Sequence, residues 1–263
     1  MDKTKLLDRA AVTGDDRLLL ARVLDKQEQA HSRNVPAYTD FLSPAQQAQA
    51  ETLLRVAGVG EETYLVLGGY GGAERAILLF LPDWLDKADA QPPLRCLRAS
   101  FRPEFDLTHR DLLGSLMGMG IVREKIGDIL VAQTTCDLVV IDTVAEFLLQ
   151  NWDSAGRAKL TVTALAPEDL QVPPQQCEEL RDTVSSLRLD AIAATGFKLA
   201  RGKAASLVEG GKVQVNWRDC AKPDKLLAEG DVVTARGYGK FEVAVVGGVT
   251  RKGRTSIVLK RYV

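Results

Sequence analysis

The side chains best suited to chemistry in this sequence are basic, and they gather toward its C-terminal end. Residues 185–263 hold 15 Lys and Arg against 7 Asp and Glu, a balance of +8, whereas residues 1–184 hold 19 against 28, a balance of −9. Lysine and arginine at this density can neutralise the charges of a polyanion. The sequence therefore predicts a basic module that binds a polyanion, joined to an acidic body. The alternative is that this end is merely a soluble, lysine-rich surface.

Two short helices are expected to position these cations. Leu189, Ile192 and Ala193 recur at helical spacing, and Gly196 is expected to end that helix as a left-handed cap. The apolar residues of 204–208 supply the buried face of the second helix. Alternating short strands follow, with the period of a half-buried sheet.

The start of the second helix lacks a capping hydroxyl, since Ala200 stands at that position. Its free backbone amides then need water or a phosphate as acceptor, and the positive end of the helix favours the phosphate. The basic residues expected to converge there are Arg188, Lys198, Arg201 and Lys203.

Six further residues complete the predicted polyanion-binding surface around these helices. They are Lys212, Asn216, Lys222, Lys225, Arg236 and Lys240. Trp217 follows Asn216 at a predicted turn, where its ring can either stack on an unpaired base or pack into the module core.

Residue types for catalysis or metal binding are scarce. The only histidines are His31 and His109, and the four cysteines form no Cys-x-x-Cys pair, which indicates a reducing cytoplasm and neither zinc nor a disulfide framework. Asp190 is expected to be a structural carboxylate that pairs within the module. The sequence thus predicts a protein that is not an enzyme, with no catalytic residue, no metal and no cofactor.

The residues before the module read as two further regions. Leu6 to Arg55 is helical in pattern, and Ser43-Pro44-Ala45-Gln46 is typical of a helix start. The glycines of 68–72 predict a turn, because the Lys-[Ser/Thr] ending of a phosphate-binding loop is absent. No secretory signal and no apolar run long enough to span a bilayer is found.

The pattern of residues 94–165 predicts β-α-β-β-α-β, a ferredoxin-like sandwich of the kind that RRM modules use. An RRM stacks bases on aromatic side chains of its central strands, and residues 127–132 supply none. We therefore interpret this region as a scaffold or protein-contact surface, with an RNA-stacking sheet as the alternative.

The overall fold class is predicted to be α+β. The predicted domains are a helical N-terminal region (1–60), an RRM-like domain (61–166), a linker (167–184) and the basic module with a terminal hairpin (185–263). Cys177 to Ser185 is expected to be a short helical lead-in to the basic module.

The basic module resembles the S-four domain, the RNA-binding domain named after small-subunit ribosomal protein four. The segments that carry this resemblance are Arg188-Leu189-Asp190, Arg201-Gly202-Lys203-Ala204, Lys212-Val213-Gln214-Val215-Asn216 and Gly230-Asp231-Val232.

Nearly the whole chain resembles the YlmH family of S-four-domain RNA-binding proteins. The segments that carry this wider resemblance include residues 38–44, 68–70, 120–129, 236–241 and 250–254. The resemblance implies a cytoplasmic RNA-binding protein with a link to the ribosome, and in some members to large subunits stalled with peptidyl-tRNA.

The leading hypothesis is a non-enzymatic protein that binds structured rRNA or tRNA, with no membrane and no small-molecule substrate. Lysine and arginine would supply most of the affinity and RNA shape would select the site. One alternative is a protein-interaction adaptor whose basic module is only an RNA tether. Another is an RNA-modifying enzyme, since S-four domains also occur in such enzymes.

Overall fold

The computed structural model describes residues 3–9, 16–174 and 177–262. It confirms the α+β class, because helices occur with antiparallel sheets. The chain divides into two compact units, 1–173 and 174–263. In the part that is described, no helix is both long and apolar enough to cross a membrane.

The first half of unit one is a helical layer with a small sheet. The helices are α1 (Lys3–Arg9), α2 (Asp16–Arg33) and α3 (Pro44–Val56), and the strands are β1 (Ala37–Tyr38), β2 (Tyr64–Leu67) and β3 (Ile77–Phe80). The strands pair antiparallel in the order β1-β3-β2. Leu20, Leu53 and Phe80 lie in the core between helices and sheet.

The start of α3 has the cap that the sequence predicts. The Ser43 hydroxyl accepts from the Gln46 backbone amide, and the Gln46 side chain accepts from the Ser43 amide at 2.9 Å. Pro44 occupies the first helical position, where its missing N–H costs nothing. Local capping chemistry therefore defines this end of the helix.

The glycine-rich stretch at 68–72 is a turn between β2 and β3, as predicted. These two strands pair with β1 in a separate sheet of the helical region, although the predicted domain boundary at residue 61 assigned them to the RRM-like domain. The reason is burial: Tyr64 and Phe80 pack in the helical region's core, at a ring-centroid distance of 5.9 Å.

The second half of unit one is a four-stranded antiparallel sheet with two helices. Its elements are β4 (Leu94–Ser100), α4 (His109–Gly118), β5 (Ile126–Val131), β6 (Thr135–Ile141), α5 (Asp142–Asn151), a small hairpin of β7 (Ser154–Ala155) and β8 (Ala158–Lys159), and β9 (Thr161–Leu165). The sheet order is β5-β6-β4-β9, with β4 and β6 central. Apart from the small hairpin, the elements follow the β-α-β-β-α-β order of a ferredoxin-like sandwich.

Unit two is one six-stranded antiparallel sheet with two helices. Its elements are β10 (Cys177–Val184), α6 (Leu189–Gly196), α7 (Arg201–Glu209), β11 (Val213–Val215), β12 (Arg218–Asp219), β13 (Val232–Ala235), β14 (Gly239–Val249) and β15 (Thr255–Tyr262). The strand order is β10-β15-β14-β13-β11-β12.

The predicted helical lead-in at Cys177 to Ser185 is wrong, because Cys177–Val184 is strand β10. All eight of its residues pair with β15, from Cys177 opposite Tyr262 to Val184 opposite Thr255. The partner residues lie 71 to 85 positions further along the chain, so no local sequence pattern predicts this pairing. The second half of the predicted linker is thus an edge strand of unit two.

The predicted role of Gly196 is also wrong. Gly196 is the last residue of α6 and has no left-handed backbone; Lys198, two residues later, has φ 54°. A Cβ on Gly196 would lie 2.3 Å from the Phe241 ring. Glycine is required there because α6 packs directly against β14.

Candidate RNA interface

The centre of the basic surface is a buried carboxylate that binds two arginines. Asp190 is 5% exposed and lies in the first turn of α6. Arg188 donates from Nε and Nη2 at 3.1 and 3.3 Å, and Arg201 donates from Nε and Nη2 at 3.2 and 3.1 Å. Asp190 therefore pairs within the module, as the sequence predicted, and it holds two of the predicted RNA-binding side chains in place.

This arrangement keeps the carboxylate charged. Burial opposes ionisation of Asp190, but the hydrogen bonds from Arg188 and Arg201 outweigh burial and hold the pKa of Asp190 below its ordinary value. The same bonds raise the pKa of Arg188. Each guanidinium turns one edge to Asp190, and its other N–H groups remain available to a phosphate.

The first turn of α7 is open to an acceptor. Ala200 is the N-cap and makes no side-chain capping bond, as predicted. Arg201 and Lys203 are exposed in the turn that follows. The Lys203 ammonium lies 5.9 Å from the centre of the Tyr238 ring, which is a cation–π contact.

Lys198 is not free to join this group. Its ammonium bonds both carboxylate oxygens of Glu178 at 2.7 and 2.8 Å. Glu178 lies on strand β10, in the segment that had been predicted to be helical. Of the four cations predicted to converge, the structure brings Arg188 and Arg201 together on Asp190, whereas Lys198, in the loop between α6 and α7, pairs with Glu178 of β10.

Lys222 and Lys225 lie beside the first turn of α6. The loop that carries them accepts from the amides of Leu189 and Asp190, through the carbonyls of Lys225 and Pro223 at 2.8 and 3.0 Å. Both lysines are exposed. They thus extend the cationic surface around Arg188.

Lys212 and Arg236 form a second cationic pair. Both are exposed, and the Arg236 amide donates to the Lys212 carbonyl at 3.4 Å. Lys240, on β14, lies 4.5 Å from the Tyr262 ring centre. The sequence analysis predicted Lys203 and Lys240 as RNA-binding residues but did not identify the rings of Tyr238 and Tyr262 that they contact.

Asn216 has a structural role that explains its presence. With Trp217 it forms the two-residue turn between β11 and β12, and both residues have positive φ, 51° and 58°. Its side chain donates to Asp231 at 2.7 Å and accepts from the Val232 amide at 2.9 Å. These contacts show that Asn216 stabilises the fold. Trp217, the second residue of the turn, is half-buried.

The four-stranded sheet of unit one, β5-β6-β4-β9, has residues packed on both faces. One face packs against α4 and α5. On the other, Phe41 and Ile77 from the preceding helical region pack against Cys96, Val139 and Ile141 of β4 and β6. These are the central strands on which an RRM would stack bases.

A buried ion pair lies on the same face of the four-stranded sheet as Phe41 and Ile77. Asp137 on β6 is 1% exposed and bonds Arg98 on β4 at 2.6 and 2.7 Å. Asp137 also accepts from the Gln171 amide at 2.7 Å, and Arg98 donates to the Asp169 carbonyl at 3.0 Å. The segment after β9 is thereby bound to the ion pair on this face.

Other reactive groups are few in the residues described. Cys96, Cys136 and Cys220 are buried and Cys177 is exposed, all as free thiols. Burial raises the pKa of Cys136 to about 12, which keeps it protonated. Across the described ranges, no three His, Cys, Asp or Glu side chains are grouped so that they could hold a metal ion.

The fold and this surface define an α+β protein with an acidic first unit and a basic second one. Residues 1–173 hold 18 Lys and Arg against 25 Asp and Glu, a balance of −7, and residues 174–263 hold 16 against 10, a balance of +6.

The chain belongs to the YlmH family. The family profile described as "YlmH, N-terminal" matches residues 15–83, and that described as "Putative RNA-binding domain in YlmH" matches residues 100–169. The "Ribosome-associated protein quality control protein P2" of Bacillus subtilis (strain 168) is 32% identical over 248 residues, covering 94% of this chain and 95% of that protein.

A solved structure titled "Cell division protein ylmH from Streptococcus pneumoniae" is 20% identical, covers 60% of this chain and 96% of that chain, and superposes with a TM-score of 0.47. Both family profiles match within unit one.

Proposed function

We propose that this chain is a non-enzymatic RNA-binding protein of the cytoplasm that acts on structured rRNA or tRNA at the ribosome. The observation that carries the proposal is the buried Asp190, which fixes Arg188 and Arg201 at the starts of two adjacent helices. The name of the Bacillus relative and the family's RNA-binding domain, which matches residues 100–169 of unit one, support an RNA or ribosomal partner for the chain but do not assign that partner to unit two.

Unit two is, in this proposal, an S-four domain that supplies the affinity. Its balance of +6 attracts RNA, and its fixed guanidinium groups meet phosphates without first losing side-chain freedom. The covered sheet of unit one supports a scaffold role for that region. In some members of the family the link is to large subunits stalled with peptidyl-tRNA, and we propose such subunits as the site of the RNA target.

The direct test removes two exposed lysines of this surface. Lys203→Gln/Lys225→Gln should weaken binding to purified tRNA and ribosomal RNA, and should flatten the plot of log affinity against log salt by roughly two units, one for each phosphate contact. Stability should change by about 0.5 kcal/mol or less, because both side chains are exposed. Fluorescence anisotropy over a salt series measures both quantities.

Arg201 is not part of this test, because its removal would also disturb Asp190. Lys87→Gln is the control, since Lys87 lies in the acidic unit and donates to the Glu61 carbonyl. Equal weakening by Lys87→Gln would show that general charge, and not this surface, binds the RNA.

The absence of catalysis is also part of the proposal. After long incubation with the protein, tRNA and ribosomal RNA should show an unchanged set of nucleosides by mass spectrometry. A pseudouridine or a methyl group that accumulates with time would instead identify an RNA-modifying enzyme.

A protein-interaction adaptor is the second candidate, and one observation favours it. Trp84 is 61% exposed on the acidic unit, and its indole nitrogen donates to the Asn34 carbonyl at 3.0 Å, which fixes the ring. Fixed, exposed tryptophans are frequent anchors of protein interfaces. RNase treatment should release an RNA binder from sedimenting particles but should leave an adaptor attached to its protein partner.

A further inference from the structure

The hairpin of β14 and β15 carries a second cluster of positive charge, at its tip. Arg251, Lys252 and Arg254 lie within four residues and are all exposed. No Asp or Glu follows Glu242 in the sequence. Among the residues that the structure describes, Arg251 and Lys252 form no ion pair, so their charges face solvent.

This tip extends past the neighbouring strand on one side. The pairing of β13 with β14 ends at Glu242, and from Val245 outward β14 pairs only with β15. Val245 and Val249 are 45% and 71% exposed on this free edge. Two register irregularities in the same stretch bend and twist the hairpin.

The tip is nevertheless held in one shape. The Thr250 amide donates to the Arg254 carbonyl at 2.7 Å, and the Gly253 amide donates to the Thr250 carbonyl at 2.9 Å. The Arg254 guanidinium donates to the Thr183 hydroxyl at 3.0 Å and to the Thr183 carbonyl, which ties the turn to β10. Arg251 and Lys252 are therefore presented by a closed, anchored turn.

The tip is remote from Lys203. Lys203 contacts Tyr238, which precedes the first residue of β14, whereas the tip follows the last residue, Val249. At about 3.3 Å per residue, the 11-residue strand between them is roughly 35 Å long. One phosphate cannot reach both positions.

We infer that the tip residues Arg251 and Lys252 form a second RNA-phosphate contact, so that unit two binds a structured RNA at two separate points. This inference rests on the proposed RNA-binding function. An extended, folded RNA satisfies both contacts, whereas a stem-loop that is shorter than the distance between Lys203 and the tip reaches only one of them.

A second copy of this chain is the other occupant that a free strand edge could take. The charges argue against it, because two copies would bring their tips' cations together. The Val246 amide on that edge is already bonded by the Glu229 carboxylate at 2.9 Å. Phosphate backbone is the partner that the unpaired cations favour.

The test uses the full-length protein with Arg251→Gln/Lys252→Gln. Affinity for purified large-subunit ribosomal RNA should fall, and its salt plot should flatten by roughly two units. Affinity for a short synthetic stem-loop should change much less. Arg157→Gln is the matched control, since Arg157 is an exposed arginine in the β7–β8 turn of the acidic unit, and it should leave both affinities unchanged.

Three outcomes would overturn the inference. Unchanged affinity and salt slope in the tip variant, while Lys203→Gln/Lys225→Gln still weakens binding, would remove the tip contact and keep the proposed function. An equal effect of Arg157→Gln would show that the effect is general charge. A changed sedimentation of the free protein with unchanged RNA affinity would make the edge a protein interface. Failure of the wild-type protein to bind RNA at all would instead refute the proposed function itself.

Discussion

Replacement of Asp137 by alanine should lower the free energy of unfolding of unit one by roughly 3 kcal/mol, the largest single effect expected in this chain. Asp137 is 1% exposed and accepts two bonds from Arg98 and one from the Gln171 amide. Its removal leaves a guanidinium and an amide without their acceptor, and such orphaned donors are costly. Urea unfolding monitored by tryptophan fluorescence measures the loss.

The double variant Asp137→Leu/Arg98→Met is the control for this prediction. It removes both charges, so no unpaired ion is left in the covered face, and it should be less destabilised than Asp137→Ala. A loss below about 1 kcal/mol in the single variant would mean that the ion pair is not buried in solution.

The single variant Asp137→Ala also tests whether the four-stranded sheet of unit one takes part in RNA binding. The face that holds Asp137 is covered by Phe41 and Ile77, so we expect no RNA to stack there. At a temperature where Asp137→Ala is folded, its RNA affinity should equal that of the wild type. A clear loss of affinity would show that this face opens to RNA.

Replacement of Asp190 is expected to affect stability and RNA binding together. Asp190→Asn removes the charge that holds Arg188 and Arg201, and it should cost about 2 kcal/mol of stability, because bonds between charged groups are the stronger ones. The two arginines should lose their common orientation, and RNA affinity should fall. Denaturant unfolding and anisotropy titration measure the two effects.

Asp224→Asn separates this orienting effect from simple charge. Asp224 is exposed near Arg188 and influences it only through its charge. If net charge alone mattered, removal of either carboxylate should strengthen RNA binding. We expect Asp224→Asn to leave binding unchanged or stronger and Asp190→Asn to weaken it; stronger binding by both variants would contradict the role given to Asp190.

The pH dependence follows from the lowered pKa of Asp190. A carboxyl group whose folded-state pKa is below its unfolded value stabilises the fold above the unfolded pKa, about 4, and this stabilisation is lost as pH falls through the folded pKa. The stability difference between wild type and Asp190→Asn should therefore be full at neutral pH and should narrow below about pH 4. A constant difference down to strongly acidic pH would contradict the assignment.

The sequence by itself determined the features that depend on neighbours along the chain. Ser43 and Gln46 are three residues apart, so their capping box follows from local chemistry. The helices α6 and α7 followed from apolar spacing. Asp190 was predicted to pair within the module because Arg188-Leu189-Asp190 lies inside that module, and its bonds to Arg188 and Arg201 confirm this.

Only the tertiary structure decided what depends on distant partners. Cys177–Val184 became a strand because β15 pairs with it, and this strand brought Glu178 to Lys198. The covering of β4 and β6 likewise depends on Phe41 and Ile77, which are remote in sequence. Pairing and burial between distant segments produce no regular spacing in the sequence. The exposed cations of the proposed RNA surface could therefore be identified only from the tertiary structure.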